Sequence, residues 1–241
     1  MQKTKVRKKI KAILVDIDNT LIPTRDFTKI ARESAINALL IGGLKVEKNI
    51  LIKKLEEVVD KYDSNYTNHF DRMLEELGVP KRLLSKLVAK AKVAYHNTKP
   101  ILLPYPDVPS TLYLLKEARY NLYAASEGNS KSQWEKLIRT NLDVILKDAF
   151  MTEDFGFKLK EAAFFKVILH EIKLKGEQCL MIGDRLDKDI KPAKENEIHT
   201  VRILTERHKK DKALDSEVKP DYEIKRFSEI LDILPKIEEK L

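Results

Sequence analysis

Ala12-Ile13-Leu14-Val15-Asp16-Ile17-Asp18-Asn19-Thr20 runs from an apolar stretch of strand length directly into carboxylates and turn-forming residues. A run that short, bounded by polar groups, suits a buried strand better than a helix. Similar runs recur at Leu122 to Ala125, Ala149 to Met151, Cys179 to Ile182 and Thr200 to Leu204, with helical patterns between most of them. Strands that alternate with helices predict an α/β fold, an open, parallel, Rossmann-like sheet with helices on both faces. Such sheets bind ligands at the carboxyl ends of their strands, so the residues just after each apolar run carry the chemistry.

One interval breaks the alternation. From about Pro23 to Pro100 no strand pattern occurs; Leu51, Leu55, Val58, Val59 and Tyr62 repeat at helical spacing, as do Leu83, Leu84, Leu87, Val88, Ala91 and Tyr95. We therefore expect an all-helical domain over residues 23–100, inserted between the first two strands of a core domain made of residues 1–22 and 101–241. The return segment, Pro100 to Pro109, carries four prolines and reads as a stiff linker. Phe227 to Leu241 reads as an amphipathic helix that closes the chain.

Three strand ends concentrate polar groups. Asp16 and Asp18 can enter one crevice if the backbone leaves extended geometry after Val15, although Asp and Asn also end strands as turn residues. Ser126-Glu127-Gly128-Asn129-Ser130 offers a hydroxyl and backbone N–H groups at a helix start, which can hold a phosphate or simply cap the helix. In Gly183-Asp184-Arg185-Leu186-Asp187-Lys188-Asp189, the glycine permits close backbone approach and Asp184 can reach a hard cation; a turn before a helix is the plainer alternative. Together, at one edge of one sheet, the three point to a site for an anion and a metal.

These motifs resemble those of the haloacid dehalogenase-like hydrolase superfamily. The resemblance covers most of the chain. The first motif, D-x-D-x-T, matches Asp16, Asp18 and Thr20; the second, a Ser or Thr after the second strand, matches Ser126; the fourth, G-D-x-x-x-x-D, matches Gly183, Asp184 and Asp189. Tyr105-Pro106-Asp107-Val108 is similar to the Y-P-G-V of the family's re-entry segment, and the helical insertion corresponds to its cap domain. The third motif departs from the pattern. Within Phe157-Lys158-Leu159-Lys160-Glu161-Ala162-Ala163-Phe164-Phe165, counting back from Phe164 puts Lys158 in the lysine's place, which is our first assignment, with Lys160 second. In extended backbone the two would share a face, and the turn into the helix from Ala162 to Leu169 diverts one of them to solvent. Glu127 stands where the family commonly has Asn, so its carboxylate has to point away from a bound phosphate.

The resemblance implies a Mg²⁺ ion held by Asp16, the main-chain carbonyl of Asp18, and Asp184. It implies Asp16 as the nucleophile that takes the phosphoryl group and Asp18 as the acid and base. Ser126, the N–H groups near Gly128 and Lys158 clamp the phosphoryl oxygens, with Thr20 and Glu127 also lining the substrate site. Asp18 separates phosphate-ester cleavage from dehalogenation, because halide leaves without a proton. The same residues serve a phosphomutase, and a catalytically idle binding protein of this fold stays open. Asn65, Tyr66, His69, Tyr95 and His96 are polar or aromatic candidates for choosing the substrate from the cap, each also an ordinary helix residue. Ser64-Asn65-Tyr66 and Tyr95-His96-Asn97 are similar to stretches in archaeal members described as glyceraldehyde 3-phosphate phosphatases, which implies a small phosphorylated substrate.

Composition narrows the partners. The chain has 241 residues and a formal charge of +8, but Lys53, Lys54, Lys136 and Lys194 lie among glutamates, as on a solvated ion-paired surface. We expect no nucleic-acid partner; a positive field suits a small anion equally well. Seven glycines with 35% charged residues suggest heat adaptation. The single cysteine, Cys179, lies in an apolar run and cannot form an internal disulfide, which fits a cytoplasmic protein. Ala12 to Val15 is too short for a signal peptide, and no apolar run reaches membrane-spanning length. A monomer or homodimer is expected.

Overall fold

The computed structural model describes residues 9–62, 66–205 and 218–240. It divides into two compact units, Met1–Pro23 with Leu103–Leu241, and Thr24–Leu102.

The first unit is built on six parallel strands: β1 (Ala12–Val15), β2 (Asn121–Ser126), β3 (Asp148–Met151), β4 (Cys179–Gly183), β5 (His199–Ile203) and β6 (Tyr222–Ile224). Their order is β3-β2-β1-β4-β5-β6, with β1 pairing β2 on one side and β4 on the other. Strands buried on both faces read as unbroken apolar runs, and β1 and β4 are buried at every position. The first five strands coincide with apolar runs of the sequence, and β6 does not. That edge strand is only three residues long, and Glu223 within it is exposed, so it leaves no apolar signature.

The sheet's core gathers Leu14, Tyr123, Phe150, Met181 and the helical residues Phe164, Phe165 and Ile168. The last three belong to α7 (Ala162–Ile172), which Lys173 ends in the left-handed conformation, φ 55°. Cys179 is buried in this cluster, and burial pushes its thiol up to about 12, which makes it a packing residue.

The second unit is helical: α1 (Thr24–Ile41), α2 (Lys48–Tyr62), α3 (His69–Glu76) and α4 (Lys81–Asn97). Ala35, Leu39, Leu51, Leu55, Met73 and Leu87 lie in its common core, spaced as the helical period requires. The chain returns through Pro106 into α5 (Val108–Glu117), where Pro109 occupies the first turn without loss because the N–H there has no helical partner. α6 (Ser130–Arg139) follows β2, α8 (Lys191–Lys194) precedes β5, and α9 (Ile230–Lys240) ends the described chain. Among the described residues no helix is long and apolar enough to cross a membrane.

Candidate active site

The strand order brings three neighbouring carboxyl ends together. β2, β1 and β4 lie side by side, so Ser126, Asp16 and Asp184 emerge along one edge of the sheet. Asp16 directly follows β1, and its N–H still donates to the carbonyl of Ile182 at 2.9 Å, which fixes the backbone where the side chain leaves. The chain then turns sharply. Asn19 takes φ 62°, and the N–H groups of Leu21 and Ile22 both donate to the carbonyl of Ile17 at 3.1 Å. Thr20 is fully buried in this turn, and its Oγ1 donates to Asp16 Oδ2 at 3.5 Å.

Beyond β4 the chain forms a π-helical turn, Leu186–Ile190, that folds Asp189 back over Gly183. The N–H of Arg185 donates to Asp189 Oδ2 at 2.9 Å. A Cβ on Gly183 would overlap the Asp189 carboxylate, so glycine is required there for close approach. Asp16, Asp184 and Asp189, all buried, each offer an oxygen within 4.8 Å of the other two. Asp189 completes a carboxylate cluster in which the sequence reading placed only Asp16 and Asp184 by side chain. An oxygen-only set of three carboxylates has the chemistry of a hard divalent cation's site.

The lysine at this cluster is Lys160, which corrects the first assignment to Lys158. Lys160 is 5% exposed; its Nζ lies 2.5 Å from Asp16 Oδ1, pairs closely with Asp189 Oδ1, and reaches the carbonyl of Ala125 at 3.5 Å. Lys158 is exposed. The backbone bends at Lys158 and Leu159 before α7 begins at Ala162, so the two lysines do not share a face, and the residue nearer the helix is the one carried inward. Burial raises the Asp16 carboxyl well above its ordinary value against the lowering effect of Lys160, and Asp189, Asp184 and Asp18 push it further. Burial also raises Asp189. Burial alone would lower the Lys160 ammonium, but the two carboxylates outweigh it and hold the ammonium above the usual lysine value.

Ser126 is buried at the end of β2. Glu127 does turn to other partners: its Oε1 pairs closely with Lys188 Nζ, and its Oε2 accepts from the N–H of Lys160 at 3.3 Å. Gly128 takes φ 111°, a conformation suited to glycine, and its N–H donates to Thr152 Oγ1 at 3.2 Å. Asp18 is half-buried; Lys136 Nζ lies 2.5 Å from its Oδ1 and Gln133 Nε2 donates to its Oδ2 at 2.9 Å. Lys136, which the sequence presents as one surface lysine among many, is therefore part of this site. Its only sequence signal is its helical spacing from Gln133.

In the helical unit, Tyr66 stacks on Tyr62 with ring centres 4.9 Å apart and meets His69 edge-on at 5.5 Å. Tyr95 packs edge-on against Phe27 and Phe70, a core role for that candidate, while His96 is exposed. Asn65 lies outside the described residues.

The family description "haloacid dehalogenase-like hydrolase" matches residues 10–196. A protein of Methanopyrus kandleri named glyceraldehyde 3-phosphate phosphatase is 38% identical over 93% of this chain and 97% of its own length. One of the same name from Methanocaldococcus jannaschii is 36% identical, again over 93% and 97%. Among solved structures, a HAD phosphatase from Thermococcus onnurineus superposes with a TM-score of 0.67 at 22% identity, covering 93% of this chain and 98% of its own. A 2-haloacid dehalogenase from Pseudomonas syringae gives 0.68 at 20% identity, covering 94% and 99%. Both structural likenesses concern the fold.

Proposed function

The chain belongs to the haloacid dehalogenase-like hydrolases, and we propose that it is a Mg²⁺-dependent phosphatase acting on glyceraldehyde 3-phosphate or a similarly small phosphate ester. The observation that carries this reading is the convergence of Asp16, Asp184, Asp189 and Lys160 at adjacent strand ends, with Asp18 two residues beyond Asp16. The archaeal relatives' name supports the substrate class.

Asp16, Asp184 and Asp189, with the main-chain carbonyl of Asp18, would hold Mg²⁺, which supplies positive charge where a phosphate dianion must approach carboxylates. Lys160 fixes the Asp16 carboxylate and adds a buried cation for the phosphoryl oxygens. Asp16 attacks phosphorus in line, the P–O bond to the leaving group breaks, and Asp18 gives its proton to the departing oxygen. A water then attacks phosphorus, Asp18 takes its proton, and Asp16 is released with inorganic phosphate. Ser126 and the backbone near Gly128 bind phosphoryl oxygens, and Thr20 steadies Asp16. The unit Thr24–Leu102 acts as the cap that selects the substrate.

The test is phosphate release from glyceraldehyde 3-phosphate with Mg²⁺ and with excess EDTA. Release that stops on chelation and returns with Mg²⁺ is expected; turnover undiminished by chelation would contradict the reading.

A further inference from the structure

Asp18 is held from a direction that no motif marks. Lys136 and Gln133 stand three residues apart on α6 and so leave the same helical face. Lys136 Nζ meets Asp18 Oδ1 at 2.5 Å, while Gln133 Nε2 bridges Asp18 Oδ2, at 2.9 Å, and the carbonyl oxygen of Glu127, at 2.8 Å. Each carboxylate oxygen thus has its own donor, which fixes the plane of the group.

The helix that presents these donors is itself anchored. Asn129 Oδ1 accepts from the N–H of Ser132 at 3.1 Å, and Glu153 Oε2 accepts from the N–H of Ser130 at 2.7 Å and from Asn129 Nδ2 at 2.9 Å. Gln133 is buried, and its Oε1 has no hydrogen-bond partner among the described residues. A buried amide oxygen without a donor opposes folding, and an apolar side chain of similar length would avoid that loss. The two Nε2 hydrogen bonds are what an apolar side chain at this position could not make.

We propose that Gln133 and Lys136 are positioning residues that aim the Asp18 carboxyl at the leaving-group oxygen. This rests on the phosphatase reading above. Proton transfer depends on the orientation of the donor, so a carboxyl that loses the Gln133 and Lys136 contacts loses much of the transfer while the phosphoryl site stays intact.

The leaving group provides the test. An alkyl phosphate, such as glycerol phosphate, needs a proton on its departing oxygen, whereas p-nitrophenyl phosphate departs as a stabilised phenolate. Since kcat/KM reports the steps up to leaving-group departure, the ratio of the two values isolates the role of Asp18 as acid. Lys136→Met should lower kcat/KM for the alkyl ester about tenfold or more and for p-nitrophenyl phosphate much less. Gln133→Met should shift the ratio in the same direction. Equal losses on both esters in Lys136→Met, or no loss on either, would overturn the inference while leaving the phosphatase reading in place. A wild-type protein that releases no phosphate from glyceraldehyde 3-phosphate, glycerol phosphate or p-nitrophenyl phosphate in Mg²⁺ would overturn both.

Discussion

Lys160 and Lys158 make opposite demands on the same experiment. Lys160→Ala removes the buried ammonium beside Asp16 and should lower kcat/KM about a hundredfold or more, as loss of a preorganised charge in a water-poor site does. Lys158→Ala, at an exposed position, should be nearly normal. A crippled Lys158→Ala beside an active Lys160→Ala would contradict the geometry. Steady-state kinetics, with circular dichroism to check folding, decides it. Gly183→Ala should also impair the Mg²⁺-dependent rate, because the new methyl displaces the Asp189 carboxylate. Asp16, Asp18, Ser126 and Asp184 were legible in the sequence because each follows an apolar run of strand length. Lys160 was legible only as the second of two candidates, since its placement depends on two backbone bends and on where α7 begins, which residue counting does not register. Lys136 was hidden for a related reason: a lysine among glutamates is ordinary on a helix, and its contact with Asp18 exists only once β1 and α6 are folded.

The elements around the site are tied by polar contacts that single substitutions can probe. Asp107, which stands where the family's re-entry segment has glycine, accepts from the N–H of Ser228 through Oδ2 at 2.8 Å and so fastens the start of α5 to the turn before α9. Asp107→Gly should destabilise the fold by about 1 kcal/mol in urea unfolding, with little change in catalysis. Strand β6, invisible in the sequence, is secured through Asp221. Its Oδ2 accepts from the N–H of Thr200 at 2.8 Å, and its Oδ1 meets Lys194 Nζ at 2.7 Å. Burial alone would raise the Asp221 carboxyl, but Lys194 and the Thr200 N–H outweigh it and hold it below the ordinary value. A carboxyl depressed in the folded state contributes stability above its unfolded pKa, about 3.9, and that contribution is lost as pH falls through the folded value. Asp221→Asn should therefore be less stable than wild type at neutral pH, and the gap should narrow below about pH 4. A gap that widened on acidification would refute this role for the charge.

For the whole molecule, the +8 formal charge and the carboxylate cluster act together on an anionic substrate. The general positive field should speed encounter, so kcat/KM for a phosphate ester should fall as added salt screens charges beyond about 10 Å. An insensitive kcat/KM would show that the net charge serves some other purpose. In the proposed mechanism Asp16 carries the phosphoryl group between substrate and water, and chemical trapping reads that directly. The protein is mixed with substrate and Mg²⁺, quenched in acid during turnover, reduced with borohydride, and mapped by peptide mass spectrometry. The expected result is reduction confined to the peptide containing Asp16 and absent from Asp16→Asn; the same modification on another residue, or persisting in Asp16→Asn, would contradict it.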